Sequence, residues 1–344
     1  MPSVTLSDVA REAGVSLATA SRAINGSVNR TVRPELQEKV LAAAARLGYS
    51  PDATAQAMAR GRTTMLGLIV HDIADPYFSS IAAGVSNAAE EAGLMMALAS
   101  TGHRPQREAA LLQMLQSQRA RAIVIAGGRQ DDAETTQALR EAIDSYRSRG
   151  GTVAMIAQPV LEIPTVVIDN HGGAAALARE LVAAGYRELA VLTGPRTHLT
   201  ASERTAGFTA ALAEQDLAVA PEHLVECEFT RDGGYAGMTA LLAAGRRPQA
   251  VFAVNDVMAM GAMAAAREAG LEVGRDIGVA GFDDIHTLRD VTPGLSTVAV
   301  PLQDVGVRAT RLALAPPALE PQVESVPTEV VLRDSTPALP LPTY

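Results

Sequence analysis

Arg22 stands in the run "SLATASRAIN", residues 16–25, as the only charged side chain among small and apolar neighbours. A guanidinium can pair bidentately with the O6/N7 edge of a guanine. Helical spacing places Ala20 and Ile24 at i and i+4, on a face suited to packing against Leu6, Val9 and Ala10. Leu17, Ala18, Ser21, Arg22 and Asn25 are then left pointing outward. Leu17 and Ala18 can meet thymine methyl groups by shape, and Thr5, Ser16, Thr19 and Asn25 can bond phosphate oxygens. The same spacing also fits a plain three-helix bundle used for dimerisation, so on the residues alone both readings stand.

Other chemistry-bearing residues argue against an enzyme. No G-x-x-x-x-G-K-[ST] loop is present, and "GPRTH" does not replace one. The six histidines (71, 103, 171, 198, 223 and 286) show no metal-ligand spacing, so each is expected to be a surface or satisfied loop residue. The single cysteine, Cys227, falls in a strand-like run and is expected to be inert. Asp283 and Asp284, adjacent at a strand end, should point apart, which suits paired acid–base work poorly. Neither a catalytic residue, a metal site nor a cofactor is expected.

The elements that must position these residues fall into two textures. Residues 1–50 predict three helices. Thr5 and Asp8 have capping-box spacing, Gly14 suits a helix C-terminus, Ser16 can cap the second helix, and Pro34 suits the first turn of the third. Two short helices joined by a glycine turn have the spacing of a helix-turn-helix. From Met65, strand-like runs alternate with amphipathic helical runs, beginning "MLGLIV" and restarting at "TVVIDN". Repeated βα units demand parallel sheets covered by helices, and two sets predict two doubly wound subdomains. The cleft between them, at the carboxyl ends of the strands, is the expected ligand site. The predicted division is 1–50 for the head, 51–62 for a hinge and linker, 63–165 with 296–327 for one subdomain, and 166–295 with 328–336 for the other. Residues 337–344 read as a loose, Pro-rich tail.

Charge is distributed to match. The chain carries −9 overall, yet residues 1–62 hold eight Arg or Lys against five Asp or Glu, a +3 head on a −12 body. With 48% hydrophobic residues the 344-residue chain can bury a large core. One cysteine, no signal-like N-terminus and no long apolar run predict a soluble cytoplasmic protein with no membrane association.

The whole order of motifs resembles the LacI/GalR family of bacterial repressors. It begins with "TLSDVAREAGVSLATASRAING" and continues through "LGLIVHDIADPYFSSIAAGVSNAAEEAG", "VIDNHGGAAALARELVAAGYRELAVLTGP" and "AVFAVNDVMAMGAMAAAREAGLEVGRDIGVAGFDDI" to "PGLSTV". The resemblance implies an all-α helix-turn-helix head and an α/β effector-binding core of two doubly wound, periplasmic-binding-protein-like subdomains. Leu17, Ala18 and Arg22 fall where the family reads bases. Residues 52–59, with Ala55 and Met58, fall on its minor-groove hinge helix, where Met58 replaces the usual Leu wedge. Tyr77, Phe78, Gln158, Thr200, Arg204, Phe229, Asn255 and Asp283 fall on effector-contacting positions. Many members carry Asp where Gln158 stands. Arg204, Asn255 and Asp283 beside three aromatics fit a sugar, although nucleobases and other metabolites also serve the family as effectors or corepressors. "STPALPLPTY" lacks the leucine heptad of the tetrameric members, so a homodimer on a pseudo-palindromic double-stranded operator is expected. A solute-binding protein and a sugar-converting enzyme are the rival classes; the basic head and the missing signal peptide weigh against the first.

Overall fold

The structure, a computed structural model, describes residues 4–25, 32–49, 63–316, 318 and 320–340. It divides into a small unit ending at Thr64 and a large unit beginning at Met65.

The small unit contains α1 (Leu6–Ala13), α2 (Leu17–Asn25) and α3 (Pro34–Leu47). The capping box forms: the Thr5 amide donates to Asp8 Oδ2 at 3.0 Å, and the Asp8 amide donates to Thr5 Oγ1 at 3.4 Å. Gly14 ends α1 at φ 62°, a left-handed conformation that costs glycine little. Ser16 Oγ then accepts the Thr19 amide at 3.1 Å and starts α2. The core is built of short side chains: Val9, Ala10, Ala13, Ala20, Ala23, Val40, Ala43 and Ala44. This differs from the expected α2 face in one respect. Ala23 is buried beside Ala20, whereas Ile24 is only half-buried at the margin of the core.

The large unit holds two parallel sheets. The first comprises β1 (Met65–Val70), β2 (Met95–Ser100), β3 (Ala122–Ala126), β4 (Thr152–Ile156), β5 (Thr165–Ile168) and β11 (Val323–Val326), in the spatial order β11-β5-β4-β3-β1-β2. Four helices accompany it: α4 (Pro76–Glu91), α5 (Glu108–Ser117), α6 (Ala133–Ser148) and α11 (Leu302–Leu314). The second comprises β6 (Leu189–Leu192), β7 (Leu224–Val225), β8 (Ala250–Ala253) and β9 (Gly278–Ala280), in the order β7-β6-β8-β9. Its helices are α7 (Asn170–Ala183), α8 (Leu199–Ala213), α9 (Arg231–Ala243) and α10 (Asp256–Glu268). Strands β1 and β3 are apolar and wholly or almost wholly buried, as strands covered on both faces must be. In each sheet the strand order reverses direction once, between β1 and β3 and between β6 and β8. Such switch points open a crevice above the strand ends.

Several expectations are corrected here. The restart at "TVVIDN" does not open the second subdomain: β5 pairs with β4 and β11 and closes the first sheet. Residues 296–299 do not join the first sheet; β10 (Thr297–Ala299) pairs antiparallel with β12 (Glu329–Val331) and touches the β9 segment through the Ala280–Ser296 bridge. The strand-like run that holds Cys227 is strand only at Leu224–Val225, so Cys227 is not in a strand. The tail is not loose through residue 339. Ser335 and Thr336 are buried against Ser296, Tyr186 Oη donates to the Pro337 carbonyl at 2.9 Å, and the Leu339 amide donates to the Ala184 carbonyl at 2.8 Å. Proline-rich composition signals the absence of helix, not of tertiary hydrogen bonds. No helix among the described residues is long and apolar enough to cross a membrane.

Candidate effector site and DNA-reading face

On the small unit, Leu17 is 51% exposed and Ala18 is exposed beside it. Ser21, Arg22 and Asn25 are half-buried. Arg22 Nε donates to the Ala18 carbonyl at 3.0 Å, which lays the guanidinium along the exposed side of α2. Asn25 Nδ2 donates to Ser21 Oγ at 3.3 Å, and the Ser16 and Thr19 hydroxyls are bonded to each other at 2.8 Å. Thr5 is spent on its capping box, its hydroxyl donating to Asp8 Oδ2 at 2.7 Å. Ala55 and Met58 lie outside the described residues. Replacing Arg22 with alanine should weaken operator binding by about 1–3 kcal/mol, with a smaller loss on random DNA. Competition gel shifts check this, and an equal loss on both DNAs would remove Arg22 from base reading.

In the large unit, loops from the carboxyl ends of both sheets meet around a cavity of about 250 Å³. β1 is followed by His71, Asp75, Tyr77 and Phe78, and β2 by His103 and Pro105. β3 supplies Gly128 and Gln130; β6 supplies Pro195, His198, Thr200 and Arg204. β7 is followed by Glu228, Phe229 and Thr230, β8 by Asn255 and β9 by Asp283. Seven of the eight residues expected around an effector therefore converge: Tyr77, Phe78, Thr200, Arg204, Phe229, Asn255 and Asp283.

Gln158 does not line the cavity and is corrected to a buttress. Its Oε1 accepts the Arg129 amide at 2.8 Å, and its Nε2 donates to Thr200 Oγ1 and Glu203 Oε2, each at 3.0 Å. An amide carries both donor and acceptor, so it can tie a loop of the first sheet to α8 of the second.

Arg204 is the centre of the polar wall and is 1% exposed. Its Nε donates to Asn170 Oδ1 at 2.9 Å, Nη1 to the Val254 carbonyl at 2.7 Å and Nη2 to Asp283 Oδ1 at 2.7 Å. Its guanidinium carbon lies 3.8 Å from the centre of the Phe282 ring. Burial pushes the Asp283 carboxyl up to about 6 against the pull of Arg204, and Asp75 adds to the rise. Asp256, also buried, is raised well above the ordinary carboxylate range by burial, with the neighbouring Asp283 adding to the rise. Asp75 is also raised by burial while its Oδ1 caps α4 by accepting the Tyr77 amide at 2.9 Å. Asn255 Oδ1 is committed to the Met258 amide at 2.8 Å, which leaves its amide nitrogen as the donor for a ligand.

Three histidines correct the expectation that all six are scattered surface or satisfied residues. His71, His103 and His198 line the cavity. His198 stacks on Phe229 with ring centres 4.5 Å apart, and burial pushes it down to about 3, so it is neutral. His71 Nε2 lies 3.3 Å from Glu108 Oε1, and Arg129 forks onto the same carboxylate at 2.5 and 2.7 Å. Gly127, at φ 149°, leaves room for the imidazole; a Cβ there would fall 2.4 Å from His71 Nε2. Each of the three histidines follows a strand's carboxyl end, and that position, rather than ligand spacing, was the signal for them.

The lining is rich in carboxyl groups, and its one guanidinium is already matched by Asp283. Such a wall disfavours a phosphate or carboxylate and suits the hydroxyls of a neutral ligand, with Tyr77, Phe78 and Phe229 for its apolar faces.

Comparison with known proteins agrees with this geometry. Residues 5–52 match the model of bacterial regulatory proteins of the lacI family. Residues 63–315 match that of periplasmic binding proteins and the sugar binding domain of the LacI family. The chain is 30% identical over 342 residues to catabolite control protein A of Priestia megaterium, covering 97% of this chain and 99% of that protein. It is 35% identical over 312 residues to the HTH-type transcriptional repressor PurR of Pectobacterium carotovorum, covering 90% and 89%. Among solved structures, the lac repressor dimer bound to operator and the anti-inducer ONPF superposes with a TM-score of 0.84 at 27% identity, covering 98% of this chain and all of that one. The transcriptional regulator CelR in complex with cellobiose gives 0.70 at 29% identity, covering 96% and 99%. The chain therefore belongs to the lacI family of bacterial regulatory proteins, a DNA-binding transcriptional regulator with an effector-binding core and not an enzyme.

Proposed function

We propose that the protein is a homodimeric repressor of a pseudo-palindromic operator, and that a neutral sugar in the core cavity sets its DNA affinity. The observation that carries the sugar reading is the Arg204–Asp283 pair beside Asn255 in a cavity walled by aromatics. The pair offers donors and acceptors for vicinal hydroxyls with no net positive charge to attract an anion. The lac repressor is solved as a dimer on operator, which supports the same assembly here, at work with the DNA in the cytoplasm. Leu17, Ala18 and Arg22 would read bases, with Thr5, Ser16, Thr19, Ser21 and Asn25 beside them at the backbone. Ala55 and Met58, outside the described residues, fall where the family's hinge meets the minor groove.

Switching follows from the connections between the two sheets. The chain crosses between them at 168–170, at 299–302 and at 326–329. A ligand that bonds both walls favours one angle between the sheets, and it changes operator affinity only through its differential affinity for the two angles. The test is a thermal-shift screen with neutral sugars, sugar phosphates and purine bases, followed by operator gel shifts with and without each stabilising compound. A neutral sugar is expected to raise Tm and to change operator affinity. Stabilisation by sugar phosphates or purines alone would overturn the sugar reading.

A further inference from the structure

A second pocket, of about 280 Å³, lies where the chain crosses between the two sheets, and it shares no lining residue with the effector cavity. Val300 and Leu302 of the crossing at 299–302, with Ile285 and Leu288 after β9, supply its apolar lining; all four are 6% exposed or less. Polar groups converge on it from two sides. Ser80 of α4 and Gln303 of α11 come from the first sheet, His286 and Arg289 from the loop after β9, and Arg333 from beyond β12. Ser80 Oγ lies 3.4 Å from His286 Nδ1 and links the two sides. The first side is rigid. α4 and α11 approach so closely that a Cβ at Gly84 would strike the Gln303 carbonyl, and one at Gly306 the Ile81 carbonyl.

Its charge is the reverse of the effector cavity's. Two guanidiniums, Arg289 and Arg333, face one carboxylate, Asp284, whereas the effector cavity sets Asp75, Glu228 and Asp283 against Arg204 alone. Arg289 is exposed and makes no hydrogen bond or ion pair among the described residues. Arg333 donates through Nη1 to the Leu295 carbonyl at 2.7 Å and through Nη2 to Asp284 Oδ1 at 2.8 Å, which leaves three of its five N–H donors uncommitted. Asp304, the acid in the first turn of α11, is held by Arg308 at 2.6 Å and does not line the pocket.

A strained turn separates the two sites. Asp283 has φ 117° and Asp284 φ 51°, two successive side-chain-bearing residues in a region that favours glycine. The first lines the effector cavity and the second lines the other pocket. The crossing segment holds this turn: the Asp283 amide donates to the Val298 carbonyl at 2.8 Å, and the Val300 amide donates to the Asp283 carbonyl at 3.3 Å. Val300 therefore lines one site while its backbone is bonded to a wall residue of the other.

We propose that this pocket is a second ligand site for a small organic anion, a carboxylate or phosphate monoester on an apolar body, coupled to the effector cavity through the Asp283–Asp284 turn. The anionic group sits between Arg289 and Arg333, and the apolar body lies against Ile285, Leu288 and Val300. Asp284 is the internal competitor for Arg333. A ligand that engages both sides biases the angle between the sheets, so it and the effector change each other's affinity by the same factor. The site does not depend on the effector being a sugar.

The test is isothermal titration calorimetry on the full chain with phenyl phosphate, benzoate and inorganic phosphate, and with benzyl alcohol as the neutral control. At least one of the two aromatic anions is expected to bind about tenfold or more tighter than inorganic phosphate, which has no apolar body to bury, and than benzyl alcohol. Arg289→Glu should weaken that anion about tenfold. Asp284→Asn frees Arg333 and keeps a residue that tolerates a left-handed backbone, so it should tighten the anion about threefold, a gain that mere damage to the fold does not produce. In gel shifts, the saturating anion should change operator affinity about fivefold in the wild type and not in Arg289→Glu, the comparison that removes the effect of added salt. Equal affinity in wild type and both variants overturns the site, as does benzyl alcohol binding as tightly as the anions. Loss of anion binding in Asp283→Ala with none in Arg289→Glu places the anion in the effector cavity and overturns it too. Binding that follows both variants but leaves operator affinity unchanged overturns the coupling. None of these outcomes decides the sugar reading, which rests on its own screen.

Discussion

Replacing Asp283 with alanine is expected to destabilise the core by about 3 kcal/mol or more and to abolish the sugar-induced rise in Tm. Two effects act together. Arg204 is 1% exposed and donates at 2.7 Å to Asp283, so removing the carboxylate leaves a largely desolvated guanidinium without its counter-ion. A buried pair broken from one side costs more than the intact pair contributes, because the remaining charge stays desolvated. The same change deletes the acceptor proposed for the ligand's hydroxyls. Asp283→Asn separates the two: the amide oxygen can still accept from Arg204, so stability should recover in part while ligand affinity remains low. Urea unfolding at neutral pH and thermal shifts with the sugar identified by screening measure both. A wild-type ligand response in Asp283→Ala would remove Asp283 from the site.

Glu108→Gln is expected to cost a similar amount, about 3 kcal/mol, and to flatten the acid limb of the stability profile. Glu108 is wholly buried. Burial alone would push its carboxyl up, but the Arg129 fork and the His71 imidazole hold it at about 2, against 4.5 in an unstructured chain. Because the folded-state value is the lower one, the stabilisation is full above about pH 4.5 and is lost as the pH falls toward 2. Wild type should therefore lose stability across that window, and Glu108→Gln should start lower and change less. Urea midpoints at pH 6 and pH 3 check this. A variant whose loss is the same at both values would show that the Glu108 charge does not carry the effect. The ligand enters the measurement too, because His71 faces the cavity from the other side of this cluster.

Much of this molecule can be read along the chain. The 3.6-residue period of the head, its Thr5–Asp8 box and its Gly14 stop are local features, and they form as the residues require. The alternation of apolar strands with amphipathic helices is equally local and predicts parallel sheets. The motifs around Tyr77, Arg204, Asn255 and Asp283 sit immediately after strands or near the start of helices. Strand polarity then carries them to one crevice. What escaped were pairings between distant segments. β11 is identified as a strand only by its partner β5, and β10 finds β12 thirty residues downstream. The tail is held by Tyr186 and Ala184, more than a hundred residues earlier.

Read along the chain, the residues establish the two textures, the charge contrast between head and body and the α2 face with its single Arg22, and the family resemblance points to seven residues that line the core cavity. Which polar residues face the cavity and which stand behind it depends on the assembled fold. Gln158 stands behind the wall, its amide consumed by Arg129, Thr200 and Glu203. His71, His103 and His198 face the cavity because strand ends far apart in sequence converge above the switch points. The physical reason is the range of the forces. Helix caps, period and strand character arise from neighbours within a few residues, whereas burial, desolvation and the matching of Arg204 to Asp283 exist only once segments 79 residues apart are brought together.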